Sequence, residues 1–340
     1  MATETVMALW VLAHKDLFNI KTTILTWPKK LGFSLWDIQV QMTFEGRHYF
    51  GRGSGPSEEK AFTKALCEAI ERISLQQHGF STSNGMACHL DLAKAKQFAA
   101  FELIERDLFF CHFFSQTPFL LFSQHHLSQL HLPLFQSLQK YPHLREITFR
   151  VYNLGECPEW NTVLVCAFGE NHSQPFGFVF GSSCKENLTQ AIESATVESL
   201  RHLMFVLQAD RNQILMTEEL FQQKNHWSFE DHGHLALDMN YFEKIRHLFP
   251  LTESPYSPPN IFLPRMEDIS FQELTFVPAP FHVVKASSSS LQDLFLGPTI
   301  PEKYNIQRIK QFRFDASLDV SLDASLDASK DFLCITHPFN

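Results

Sequence analysis

The chain has no excess of positive charge: its 340 residues carry 28 Lys and Arg against 37 Asp and Glu, a formal net charge of −9. Surfaces that bind nucleic acid or anionic membrane are basic, so a general binder of either is excluded. Cysteine is sparse. Seven residues, with no CxxC pair and no Cys/His zinc-finger spacing, build neither a disulfide framework nor a structural zinc site. A reducing cytoplasm is the expected compartment. Long apolar runs are missing too. The N-terminal apolar patch from Val6 to Ala13 is far short of the roughly 20 residues that span a bilayer. The start of the chain carries Glu4 and lacks the basic opening of a secretory signal. What is present is ordinary globular chemistry. Hydrophobic residues make up 44% of the chain, which excludes wholesale disorder, and the length fits one large domain or two ordinary ones. The 17 His are scattered and read as surface or satisfied core residues.

Residues 36–50 alternate as one or two strands and lead into Gly51-Arg52-Gly53-Ser54-Gly55, which reads as a turn needing positive φ, with a backbone cradle for phosphate as the alternative. Ser57-Glu58-Glu59 opens a helix that closes at Gly79. A polar loop around Asn84 precedes a second helix, Leu92 to Phe114. Strands follow at 147–154, 162–168 and 176–181, then a third helix, Leu188 to about Gln208. Prolines at 249–264 mark an irregular segment, and 281–285 reads as a late strand. Helices alternating with strands give an α/β class. Near the end, an Asp-Ala-Ser-Leu repeat at 313–331 reads as a spacer before an apolar tail, 332–340. The expected organisation is an uncertain segment 1–35, a main domain 36–312, the spacer and the tail.

The three helices share one pattern. Ala61, Ala65 and Glu68 fall at i, i+4 and i+7, as do Ala95, Ala99 and Glu102, and Ala191, Ala195 and Glu198. These offsets lie on one helix face, so two small residues that permit close packing are followed by a carboxylate. Two copies extend to ExxER, Glu68 to Arg72 and Glu102 to Arg106. A solvated helix face accounts for one such copy, whereas three copies point to carboxylates gathered in a partly buried site. Gathered carboxylates repel and resist burial, a conflict that a hard cation relieves. Mg2+ is held by a few carboxylates together with substrate phosphates. Cys67, beside Glu68, has no assigned base and reads as a small buried residue, and Phe109, Phe110, Phe113 and Phe114 read as core.

GRGSG with EEKAFTKALCEAIER, then STSNGMACHLDLAKAKQFAAFELIERD, AIESATVESL and FHVVKASSSSLQDLFLGP, resembles the YcaO superfamily across roughly residues 45–300. The tail's His337-Pro338-Phe339 is similar to the proline-containing end of many members. The resemblance implies a YcaO-type fold in which glutamate-bearing helices pack with mixed β-sheets. It implies an ATP- and Mg2+-dependent enzyme that phosphorylates a peptide backbone amide oxygen to form an azoline, thioamide or amidine in ribosomal peptide biosynthesis. Glu68, Glu71 and Arg72 match the first nucleotide and metal motif, and Glu198 the later metal-binding helix. Glu102 and Glu105 match a central block with a metal or supporting role, and Gln190 is a further candidate for the nucleotide pocket. No catalytic side chain is assigned. The expected partners are a peptide substrate and a separate leader-peptide-binding protein, with homodimerisation left open and no nucleic acid or membrane.

Three positions depart from the family pattern: Lys64 in place of serine, Arg201 in place of an acidic or amide residue, and Leu203 in place of arginine. An arginine cannot coordinate Mg2+, though its fork can reach a phosphate. The alternative reading is a catalytically degenerate YcaO protein that scaffolds a peptide or a partner.

Overall fold

The computed structural model describes residues 3–30, 32–210, 216–252, 263–276, 280–295, 297 and 303–312. The Asp-Ala-Ser-Leu repeat, the C-terminal tail and most of the proline-rich segment lie outside the described residues. Two compact units divide the rest.

The first unit comprises Met1–Glu102 and Ile269–Ser288. Helix α1 (Thr3–Phe18) is followed by β1 (Lys21–Ile24), the short α2 (Trp27–Lys30), β2 (Trp36–Phe44) and β3 (Arg47–Gly55). These strands form an antiparallel sheet in the order β1-β2-β3. Helix α3 (Glu58–Gln77) begins where the Ser57 hydroxyl accepts the Lys60 N–H, with Glu58 and Glu59 placed favourably in its first turn. Strand β4 (Met86–His89) follows. It pairs antiparallel with β10 (His282–Ser287), which also pairs with β9 (Ser270–Leu274). Ile38, Val40 and Met42 of β2 pack with Ala65, Leu66 and Ile70 of α3 to form the centre of the core.

The second unit comprises Leu103–Asp268 and the chain from Ser289 onward. Its sheet has the order β5 (Leu120–Leu121), β6 (Thr148–Cys157), β7 (Trp160–Gly169) and β8 (Phe176–Lys185), antiparallel throughout. Helix α4 (Leu92–Ser115) belongs to the first unit up to Glu102 and to the second from Leu103. Two short helices, α5 (Gln124–Gln129) and α6 (Pro133–Ser137), lie between β5 and β6 in the chain. Helix α7 (Leu188–Gln208), capped where Asn187 accepts the Gln190 N–H, follows β8. Phe109, Phe110, Phe113 and Phe114 are all at most 2% exposed and stack on one another or on Phe119, Phe180 and Phe295.

The fold class is α/β as expected, and every described strand pairing is antiparallel. One local expectation is overturned. Gly51, Gly53 and Gly55 are not a turn but the last half of β3, and none has positive φ. They are glycine for a different reason. A Cβ on Gly51 would stand 2.0 Å from the Ala65 carbonyl oxygen, and one on Gly53 2.1 Å from that of Ala61. The strand lies so close to the alanine stripe of α3 that no side chain fits between them.

Candidate functional site

The same construction occurs once in each unit. In the second, a Cβ on Gly181 of β8 would stand 2.3 Å from the Ala195 carbonyl oxygen of α7. The alanines of all three stripes, Ala61, Ala65, Ala95, Ala99, Ala191 and Ala195, are fully buried. A glycine strand pressed on an alanine stripe brings the next residue of that stripe, a glutamate, against the strand's backbone. The Arg52 N–H donates to Glu68 Oε2 at 2.7 Å, and the Ser182 N–H donates to Glu198 Oε2 at 2.9 Å.

The first unit gathers Glu68, Glu71 and Glu102. Glu68 Oε1 also accepts from Arg72 Nη2 at 2.8 Å, so Arg72 is the cation of this group. Glu71 Oε1 accepts the Cys88 N–H from β4 at 2.7 Å. Burial, and after it the nearby Glu102, Cys67 and Glu68, push the Glu71 carboxyl well above the usual carboxylate range. Cys67 and Cys88 are buried, and their thiols lie within hydrogen-bond reach of each other. Burial raises the Cys88 thiol well above its usual range, which makes it a poor nucleophile.

The second unit gathers Glu105 and Glu198. Glu105 Oε1 accepts from Ser182 Oγ at 2.6 Å and from Arg106 Nη1 at 3.2 Å, and Oε2 accepts the Cys184 N–H at 3.1 Å. Burial, then the Glu105 charge, raise the Glu198 carboxyl to about 7, against the opposing pull of Arg106, Arg201 and the Ser182 N–H. Gln190 is not part of this group. It sits exposed in the first turn of α7, where its N–H meets the Asn187 cap, about 12 Å along the axis from Glu198. Of the departures, Lys64 Nζ donates to the Ser54 carbonyl at 3.0 Å and Leu203 is fully buried.

The donor chemistry fits Mg2+. Carboxylate oxygens are hard ligands, and burial among like charges leaves Glu71 in want of a cation. Among the described residues no three His, Cys, Asp or Glu side chains form a cage able to hold a metal by themselves.

Several members of these groups were not legible in advance: the backbone donors Arg52, Cys88, Ser182 and Cys184, and the Ser182 hydroxyl. The next acid on α4, Asp107, is fully buried and forms a two-pronged pair with Arg308 of the second unit, Nη2 to Oδ2 at 2.6 Å. Among the described residues no helix is long and apolar enough to cross a membrane.

The structure resembles YcaO from Methanopyrus kandleri bound with AMPPCP and Mg2+, at 11% identity and a TM-score of 0.57 over 88% of this chain and 96% of that one. It also resembles a heterocyclase in complex with substrate and cofactor, at 12% identity and a TM-score of 0.58 over 85% of this chain, which spans about half (52%) of that longer protein. A third likeness is to the E. coli microcin synthetase McbBCD complex with pro-MccB17 bound, at 11% identity and a TM-score of 0.52 over 79% of this chain and 88% of that one. At these identities the likenesses speak for the fold. No curated protein matches the chain. The family model described as YcaO cyclodehydratase, ATP- and Mg2+-binding, matches residues 74–273, a shorter stretch than 45–300 that begins beyond Glu68, Glu71 and Arg72. That match covers more than half of the sequence, and the chain therefore belongs to the YcaO family, whose cofactors are ATP and Mg2+.

Proposed function

We propose that this protein is a YcaO-type enzyme that uses ATP and Mg2+ to phosphorylate a peptide backbone amide oxygen. The observation that carries the reading is Glu71: a half-buried carboxylate beside Glu68 and Glu102, answered by one backbone N–H, in a chain of this family. Glu68, Glu71, Glu102, Glu105 and Glu198 are proposed to hold Mg2+, and Arg72 to steady Glu68 beside the nucleotide. Bound Mg2+ neutralises phosphate charge and orients the transfer. Gln190 is the weakest member of the set, because it is exposed and far along its helix.

The reaction class follows from a chemical need. An amide oxygen is a very poor leaving group. A Cys, Ser or Thr side chain adds to the amide carbon, and the resulting oxyanion takes the terminal phosphoryl group of ATP, releasing ADP. Phosphate then leaves as the amide nitrogen loses its proton, which closes an azoline. A sulfide or an amine as nucleophile gives a thioamide or an amidine. The likeness to a heterocyclase with substrate and to a microcin synthetase complex supports a peptide substrate and a separate partner protein that presents it.

Glu68→Ala and Glu198→Ala should each abolish Mg2+-dependent release of phosphate from ATP in the presence of substrate and partner. Unchanged release in both variants would remove the site assignment. A second reading is a scaffold without catalysis, and Lys64 and Arg201 favour it. It predicts that the same substitutions leave partner binding intact while no preparation releases phosphate.

A further inference from the structure

Strand β8 is the last of its sheet, so every second N–H along it points away from β7 and needs a partner elsewhere. Two of these meet glutamates from two different helices. The Ser182 N–H meets Glu198 of α7, and the Cys184 N–H meets Glu105 of α4. Ser182 does more. Its hydroxyl donates to Glu105 Oε1 at 2.6 Å, the short distance of a charge-assisted bond. One strand residue therefore holds both carboxylates, one through its backbone and one through its side chain. The strand has little room to shift toward α7, because Gly181 is pressed on that helix with no space for a Cβ. Ser182 is itself buried, so water competes little for these bonds.

The first unit shows which part of this is general. There Arg52 takes the place of Ser182, directly after a glycine pressed on an alanine stripe, and its N–H serves Glu68 as the Ser182 N–H serves Glu198. Its guanidinium turns instead to Asp37, with Nε 3.1 Å from Oδ2. The amide bond belongs to the construction, and any residue but proline supplies it. The hydroxyl bond depends on the side chain, and it ties Glu105 to the same residue that holds Glu198. A glutamate has several rotatable bonds, and a ligand that uses its carboxylate binds more tightly when those bonds are fixed beforehand.

We infer that Ser182 is a positioning residue of the candidate site: its hydroxyl and amide hold Glu105 and Glu198 as one preorganised pair, and the hydroxyl thereby sets the affinity for nucleotide with Mg2+. The inference rests on the proposed ATP and Mg2+ chemistry and adds to it a residue outside the glutamates. Ser182 acts through Glu105.

Ser182→Ala removes the hydroxyl and keeps the amide, and Ser182→Thr keeps both. Calorimetric titration of AMPPCP with Mg2+ into the full chain should find Ser182→Ala about tenfold weaker than the unaltered protein, and Ser182→Thr restored to within about twofold. In a Glu105→Ala background, or Glu105→Met where alanine does not fold, adding Ser182→Ala should cost no further affinity, because the hydroxyl has lost the group it positions. Thermal melting without nucleotide checks that each variant unfolds cooperatively. A folded Ser182→Ala that binds AMPPCP as tightly as the unaltered protein would overturn the inference, as would a Ser182→Thr no better than Ser182→Ala, or a loss that persists in full once Glu105 is replaced. Those outcomes leave nucleotide binding intact and so spare the proposed function. If the unaltered protein binds no AMPPCP with Mg2+, the proposed function itself falls, and this inference with it.

Discussion

Gly51 and Ala65 stand so close that a methyl group on the glycine would lie 2.0 Å from the alanine's carbonyl oxygen. The contact sets the height of α3 above its sheet, and with it the reach of Glu68 to the Arg52 N–H. Gly51→Ala must therefore push the helix away, because backbone rather than a flexible side chain blocks the methyl. Overpacking of this kind costs about 1–3 kcal/mol or more. Urea denaturation should show that loss, while Gly46→Ala, in open space, should reveal only the strain of its positive φ.

Asp107 and Arg308 predict a different kind of loss. Both are at most 2% exposed, and removal of either leaves the other buried without this counter-charge. Asp107→Ala should cost about 3–5 kcal/mol, whereas replacing both by apolar residues of similar size should cost much less. The comparison is a double-mutant cycle in urea. A double variant as unstable as the sum of the singles contradicts the account.

His112 makes stability depend on pH. It is 1% exposed with its ring nitrogens near the carbonyls of Thr117 and Leu154, and burial, outweighing those carbonyls, lowers its pKa from 6.5 to about 4. The unfolded chain thus takes up a proton before the folded one does. The contribution is intact above the unfolded value and is lost as pH falls from there through the folded value, about 2 kcal/mol by about pH 5. Denaturation midpoints of the unaltered protein and of His112→Asn, compared at about pH 7.5 and about pH 5, should show this part of the acid loss in the first alone.

Glu71 gives a proton linkage to metal. Its carboxyl is held above the usual range by burial and by its neighbours, so protons compete with Mg2+ for it more strongly than for an ordinary carboxylate. Affinity should therefore fall as the solution is acidified. Calorimetry in two buffers of different ionisation enthalpy should register net proton release on binding. Binding without proton release would show that Glu71 is not in contact with the ion.

The elements that could be read in the sequence are those whose cause is local. The alanine–glutamate stripes of α3, α4 and α7 are spaced within single helices, and all three helices form where the stripes stand. The caps Ser57 and Asn187 sit next to the residues they serve. The glycines of β3 were misread because a glycine motif suggests positive φ, whereas here the need is for a missing Cβ against a helix. Strand β4, four residues long, has too few positions to alternate visibly, yet its Cys88 N–H is the donor to Glu71. Backbone donors leave no mark in a sequence. Arg308 and Asp107 are 201 positions apart, and nothing local signals their meeting.

The most direct test of the central claim is calorimetric titration of AMPPCP into the full chain, with and without Mg2+, for the unaltered protein and for Glu71→Gln. The account predicts binding that requires Mg2+ and that weakens at least about tenfold in the variant, a change of about 1.4 kcal/mol. A folded Glu71→Gln protein that binds AMPPCP as tightly as the unaltered one, with the same dependence on Mg2+, would contradict it.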